Sequence, residues 1–520
     1  VVVLFGARTG RDGIGGASVL ASAELDDSED KRPTVQIGDP FEEKKLLECS
    51  LDLLSQDLLV ALQDLGAAGL TSSSAEMAAK GEVGLDLHVR RVPLREADME
   101  PFEIMISESQ ERMLCVVEPD RLGELLDVCD RWDVRATPIG SVTDTRRLRV
   151  FDGDELVGDM PVEALVDDCP LYDLEPEPPS APIYPDPPVR LAEGAGAEET
   201  LLALLGAPSI ASKRFVFEQY DPIVGSRTVR RPQSADAAVL SLANDGGSGA
   251  IAISIDGNGR RVACDPYTGA VEAVLECARN LACVGAEPLG LTNCLNFGNP
   301  EKPHIAWQLT RSVEGLRDAC LALGVPVVGG NVSLYNEGGG GPIYPTPIVG
   351  MVGSLPDPES VPRIGFAREG DTVALVGPFE PALEGSELAK LRGHLGDSLP
   401  AVDLAEQAQG LAALRDAVRG GGLPTVHDIS EGGLAVALAE CCMEGGLGAR
   451  IGVDASDAAL FGEGPGGVVI AGPRAAIEAV PGARVIGEVG GDALEIEGAL
   501  SVPVAELRAV YEGAIPAAFG

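Results

Sequence analysis

The sequence predicts an α/β (α+β) chain of three blocks, in which the first and third are copies of one domain. Three observations carry this. Apolar runs of strand length alternate with amphipathic stretches of helical phasing, the pattern of sheets covered by helices. A segment at 170–188, PLYDLEPEPPSAPIYPDPP, holds eight prolines in nineteen positions and is too stiff and extended to join a core. Residues 63–87, QDLGAAGLTSSSAEMAAKGEVGLDL, align without a gap to residues 427–451, HDISEGGLAVALAECCMEGGLGARI.

The first block, residues 1–169, opens on the buried-strand pattern Val1-Val2-Val3-Leu4-Phe5 and runs directly into GARTGRDGIGGAS (6–18). Arg8 and Arg11, with the N–H groups of Gly10 and of Gly13 to Gly16 ahead of a helix, form either an anion nest or a glycine-rich packing turn, and the residues alone favour neither. The spacing is not the GxGxxG of dinucleotide sites. Residues 170–198 read as the linker. In the middle block, 199–355, AIAISIDGN (250–258) alternates like a strand, and Val271, Val274, Leu275, Ala278, Leu281 and Ala282 mark one stripe of a helix over 268–284. PLGLTNCLNFG and PVVGGNVSLYN follow as strands that end in Asn- and Gly-rich loops.

A weaker, proline-bearing break at 354–370 precedes the third block, 365–520, whose first strand is Thr372 to Val376. The repeat then returns: Asp64 matches Asp428, Gly69 matches Gly433, Glu76 matches Glu440, and Gly81 and Gly84 match Gly445 and Gly448. Each copy reads as a strand ending in Asp, a glycine turn and a short helix. Small-residue loops lie upstream of both, Gly15-Gly16-Ala17-Ser18 and Gly385-Ser386-Glu387. With the copies called B-type and the middle block A-type, the middle and third blocks make one A–B pair.

Composition narrows the function. The formal charge is −42, from 81 acidic and 39 basic residues, which argues against nucleic-acid binding because that needs a basic face. Anionic ligands would need a local pocket of Arg, backbone N–H groups and metal ions to overcome the repulsion. No apolar run approaches the ~20 residues of a membrane span. Eleven cysteines without a CxxC pair read as buried thiols of a reducing cytoplasm rather than zinc ligands.

Several long strings together resemble the phosphoribosylformylglycinamidine synthase family. They are GARTGRDGIGGAS, VQIGDPFEEKKLLE, LQDLGAAGLTSSSAEMAAKG, PFEIMISESQERM, IASKRFVFEQYD, NCLNFGNPEKP, GGNVSLYN and HDISEGGLAVALAE, in order along nearly the whole chain. The resemblance is to the synthetase subunit of the three-component type, and it implies duplicated aminoimidazole-ribonucleotide-synthetase-like C-terminal domains plus one N-terminal-type (A) domain. It also implies the amidation of formylglycinamide ribonucleotide: the substrate amide oxygen attacks the γ-phosphate of ATP to give an iminophosphate, and ammonia displaces phosphate. Mg²⁺ and ATP are the implied cofactors, and a glutaminase subunit and a small bridging subunit the implied partners.

Carried onto this sequence, the family's substrate contacts fall on Gln36, on Glu108, Ser109 and Gln110, and on Ser333. Mg²⁺ ligands fall on Asp64 and Asn331, and ATP contacts on Asn293 and Gly330. Carboxylate and amide oxygens suit Mg²⁺, and glycine lets backbone N–H groups approach phosphate. Outside the resemblance, Asp64 would read as a helix N-cap and Asn331 as a turn residue. His427 beside Asp428 reads as a structural histidine. The family's N-terminal A domain, with its catalytic histidine, has no counterpart here, so the chain is expected to be part of a longer product and inactive by itself. Its middle sheet is then expected to expose an apolar face that invites self-association. A non-catalytic nucleotide-binding scaffold is one alternative; a selenophosphate-synthetase-like or thiamine-phosphate-kinase-like enzyme is another.

Overall fold

The computed structural model describes residues 1–14, 37–168, 171, 173–243, 248–338 and 340–519. The chain divides into two compact units, Val1–Asp173 and Leu174–Gly520. Among the described residues no helix is long and apolar enough to cross a membrane.

The first unit is built on strands β1 (Val2–Gly6), β2 (Ala61–Asp64), β3 (Gly84–His88), β4 (Arg112–Val116), β5 (Ala136–Thr143), β6 (Arg147–Asp152) and β7 (Glu155–Pro161). They form one sheet in the order β2-β4-β1-β5-β3-β6-β7. β1 is apolar on both faces because both are covered. Val3 and Phe5 pack on one side with α1 (Pro40–Ser55) and α3 (Leu122–Arg131), while Val2 and Leu4 pack on the other with α2 (Gly69–Lys80). α1 starts where Asp39 accepts the Phe41 and Glu42 N–H groups and Pro40 occupies the first turn.

The second unit holds two large sheets and a two-stranded ribbon, Glu337–Gly338 with Gly341–Pro342. The middle one orders β11-β10-β12-β9-β8, from β8 (Ala238–Ser241), β9 (Ala250–Asp256), β10 (Glu287–Asn296), β11 (Val327–Ser333) and β12 (Thr346–Leu355). Its helices include α4 (Pro266–Cys283) and α5 (Pro303–Leu323). The other contains β13 (Thr372–Val376), β14 (Thr425–Asp428), β15 (Ala449–Ile451), β16 (Val468–Gly472), β17 (Arg484–Val489), β18 (Ala493–Ile496) and β19 (Leu500–Pro503), in the order β14-β16-β13-β17-β15-β18-β19. That is the strand order of the first unit, element for element. Helices α6 (Leu404–Arg419) and α7 (Gly433–Gly445) correspond to α1 and α2. They stand at the same sequence separation that carries Asp64 onto Asp428.

The sequence shows a break between the middle and third blocks, yet the two share one core. Val274, Leu281, Val349 and Met351 of the middle block pack in the same cluster as Leu411, Leu414, Val426 and Ile470 of the third. The cause is α4, which is buried on nearly all sides and so needs cover from both. The opposite face of the middle sheet is open, with Ile255 71% and Val352 38% exposed.

The turn from β2 into α2 depends on a glycine. Gly69 has φ +54°, and a Cβ there would lie 2.0 Å from the Ser107 carbonyl oxygen. Gly433 repeats this, with φ +72° and a Cβ 2.6 Å from the Gly462 carbonyl oxygen. Gly69→Ala is expected to destabilise the first unit by ~1–3 kcal/mol through backbone strain and this clash. Urea unfolding followed at Trp132, in a Trp307→Phe background, checks it; an unchanged midpoint would mean that the turn is not strained.

Candidate functional site

The candidate site of the first unit lies at one end of its sheet, where β1 and β2 finish and β4 begins. Gly6 pairs with Arg112 and Asp64 with Met113 across these strands. Asp64 is exposed, and one of its oxygens accepts the Gly66 N–H at 2.8 Å. It is not the cap of α2: that position belongs to Ala68, in a left-handed conformation without a side-chain bond. Gln63, just before it, donates to Glu76 of α2 at 3.2 Å.

The segment Glu108-Ser109-Gln110 folds against the same turn. Buried Glu108 accepts the Ala68 N–H at 3.0 Å, so the Asp64 turn and the segment are brought together. Ser109 Oγ accepts the Gly10 N–H at 2.9 Å and donates to Asp12, and Gln110 donates to the Glu108 carbonyl at 3.1 Å. Gln36 lies outside the described residues.

These contacts answer the question raised by GARTGRDGIGGAS. Arg11 is engaged by Glu103 at 2.8 Å and Glu96 at 3.3 Å, and it also donates to the Asp98 carbonyl at 2.8 Å. Arg95 pairs with Asp12 at 2.6 Å. Buried Arg112 donates to Thr9 Oγ1 at 2.8 Å and to the Ser107 and Ser109 carbonyls at 2.6 and 2.8 Å. Burial pushes its guanidinium down to about 10, which leaves it charged at neutral pH. So residues 6–14 are a packing turn that holds the Ser107–Gln110 segment in place, and Arg11 serves that turn rather than a ligand. Gly15 and Gly16 of the anion-nest reading lie outside the described residues. Exposed Arg8 lines a cleft of about 990 Å³ at this sheet end, together with Lys45, Arg95, Arg135 and Glu111.

In the middle sheet, Asn293 on β10 and Gly330, Asn331 and Ser333 on β11 lie on neighbouring parallel strands, with Asn293 opposite Gly330 and Asn296 opposite Ser333. Asn331 sits inside an edge strand and not in a turn. Alternation along the strands separates the four residues. Asn331 and Ser333 share a face with Cys294 and Asn296, and the Asn331 amide reaches Cys294 Sγ at 4.0 Å. Asn293 and Gly330 share the other face, where a Cβ on Gly330 would meet the Asn293 side chain at 3.1 Å.

The second copy shows what sequence reasoning missed. Its strand–turn–helix keeps the geometry of the first: His427 Nε2 meets Glu440 at 3.0 Å, as Gln63 meets Glu76. His427 Nδ1 lies 2.7 Å from Asp236, just before β8, so the ring is held between two carboxylates and both nitrogens donate. Burial works against the charged ring, but the Asp236 charge and the two hydrogen bonds raise its proton affinity well above the usual histidine value. Asp236, His427 and Asp428 have metal-ligand types within 4.8 Å of one another, but an imidazolium has no lone pair to offer a metal. Arg279 of α4 donates to Asp428 at 3.1 and 3.3 Å. The Glu76/Glu440 identity was the available signal; Asp236 and Arg279 gave none, because they reach the site from another domain.

Comparison with known proteins places these copies. A family profile described as the C-terminal domain of AIR synthase related protein matches residues 1–153 and 368–497, and the N-terminal-domain profile matches 234–355. A Moorella thermoacetica protein named phosphoribosylformylglycinamidine synthase subunit PurL is 46% identical over 477 residues, covering 90% of this chain and 64% of the relative. A relative of the same name from an Anaeromyxobacter species is 48% identical over 545 residues, covering 99% of this chain and 71% of the relative. The chain thus spans about two thirds of the length of the curated relatives it matches. Among solved structures, Thermotoga maritima PurL complexed with FGAR matches with a TM-score of 0.69 and 31% identity, over 94% of this chain and 71% of that one. The ATP complex of the same protein matches at 0.67 and 30%, over 94% and 70%.

The charged state of His427 ties stability to pH. Its folded proton affinity exceeds the ordinary value of 6.5, so its contribution is fully present below that value and is lost as pH climbs through the raised one. Urea unfolding from about pH 6 to about pH 10 is expected to show stability falling on the alkaline side. His427→Gln should flatten that fall while lowering stability at pH 6 by ~3 kcal/mol, because Asp236 loses its buried partner. An alkaline fall of equal size in the variant would assign the effect to another group.

Proposed function

Because the chain belongs to the phosphoribosylformylglycinamidine synthase family, we propose that it serves the ATP-dependent conversion of formylglycinamide ribonucleotide to formylglycinamidine ribonucleotide. The observation that carries the reading is the meeting of Asp64 and Glu108-Ser109 on one turn at the sheet end, an open carboxylate beside a rigidly held polar segment. The T. maritima relatives were solved with FGAR and with ATP, which supports both ligands here.

In this reading Glu108, Ser109 and Gln110 hold the substrate, and their fixed positions orient the amide oxygen for attack; Gln36 and Ser333 are further substrate contacts. Positioning is worth much of the rate in phosphoryl transfer, since little covalent work falls to the protein. Arg112 and the 6–14 turn keep that segment from moving. Gly330 offers backbone to the ATP phosphates, and Asn293 contacts the nucleotide. Asp64 would hold one Mg²⁺ and Asn331 a second. Asp64 fits, being exposed with one oxygen engaged by Gly66 and the other left open, and Mg²⁺ usually takes one or two carboxylates and completes its shell with water and phosphate. When bound, the ion neutralises phosphate charge, which matters on a chain of net charge −42.

The subunit naming of the relatives and the solved T. maritima PurLQS assembly support work within a complex. In it a glutaminase subunit supplies ammonia and a small subunit bridges the two. The test is Mg²⁺-dependent ADP release with formylglycinamide ribonucleotide and ammonia by the synthase that carries this sequence. Asp64→Asn is expected to lower that rate at least ~100-fold with the fold intact. A rate within a few-fold of the parent would remove Asp64 from the site.

A further inference from the structure

The two copies share a strand, a turn and a helix, yet their aspartates have opposite surroundings. Asp64 is exposed, accepts one backbone N–H, and has no cation within ion-pairing distance among the described residues. Asp428 is buried, and one of its oxygens receives both Nε and Nη2 of Arg279. Arg279 is itself 2% exposed and lies on α4, so it reaches the second copy from the middle block. Glu276, one turn earlier on α4, stands 3.7 Å from the same guanidinium. The cavity beside them is about 30 Å³, room for a water molecule and not for a nucleotide.

We infer that Arg279 is the built-in cation of the second copy: its guanidinium stands beside Asp428 where a divalent ion stands beside Asp64, so that a duplicated scaffold takes metal at one aspartate only. The inference rests on Asp64 being a Mg²⁺ ligand. The physical case is charge balance in a buried place. A carboxylate taken out of water needs a positive partner at contact distance. The first copy leaves that partner to come from solution; the second has it covalently attached, in Arg279 on a buried helix, with the His427 ring 3.7 Å from the other Asp428 oxygen. A guanidinium is charged at every working pH and cannot dissociate, so the A–B pair of the second unit keeps its geometry whatever the Mg²⁺ concentration. Arg279 is therefore a specificity-determining residue for metal that touches neither the metal nor the substrate.

The experiment counts Mn²⁺ bound to the full chain, by loss of the free-ion paramagnetic resonance signal during titration. Asp428→Asn in the parent background is expected to leave the count unchanged; a lower count would show that Asp428 already binds metal and would overturn the inference. Arg279→Gln is expected to gain one Mn²⁺ per chain, to keep the gain with Asp64→Asn and to lose it with Asp428→Asn. Arg279→Lys, which retains a charge, should gain none. A folded Arg279→Gln chain without the extra ion would overturn the inference. If that variant is too unstable to titrate, its melting temperature decides: Mn²⁺ should raise it more than it raises the parent's, and an equal shift counts against the inference. Asp64→Asn leaving the parent count unchanged would strike the Asp64 reading and with it the contrast between the copies, whereas a missing gain in Arg279→Gln strikes the inference with the Asp64 reading intact.

Discussion

One helix sets the terms for the second unit. α4 spans Pro266–Cys283, is capped by Asp265 and started by Pro266, and buries nearly every side chain it carries. A helix buried on nearly every side must be enclosed, and no single sheet encloses one. The middle sheet covers one side, while α6 and β14 of the next domain cover another. The break at 354–370 therefore separates two sheets without separating two cores.

Enclosure has an electrostatic consequence. α4 takes Glu272, Arg279 and Asn280 inside with it, and the two charged groups must be paired there. Arg261 closes on Glu272 at 2.5 Å and Arg279 on Asp428 at 3.1 Å, and nearby Arg260 pairs with Glu387 at 2.6 Å. All but the first of these pairs cross from the middle block to the third. Breaking one would leave a buried charge alone, a penalty of ~3–5 kcal/mol. The shared core joins the two blocks, and the ion pairs fix their register.

The first unit has the same strand order with a different environment. Leu47 and Leu54 of α1 occupy the positions of Leu411 and Val418 of α6, yet the first pair is exposed and the second is buried. The same holds one element later, where Asp64 is open and Asp428 is closed. Polarity follows environment here: arginines around the Asp64 turn (Arg11, Arg95 and Arg112) are all committed to acidic or carbonyl partners.

By itself the sequence determined the duplication, the strand that ends at Asp64, the glycine that must follow it and the membership of a family, because each is local or lies in an unbroken string. Val2 to Phe5 read as a buried strand and Gly69 as part of a glycine turn from the residues alone, and the fold has both. Tertiary structure alone decided that Arg11 serves a turn, that Glu108 reaches the Asp64 loop, and that Asn293 and Asn331 face opposite ways. It also decided that Asp236 and Arg279, remote in sequence, complete the second copy. The reason is that charge pairing is settled by what lies within a few ångströms, and packing brings those neighbours together from domains whose separate periodicities carry no trace of one another.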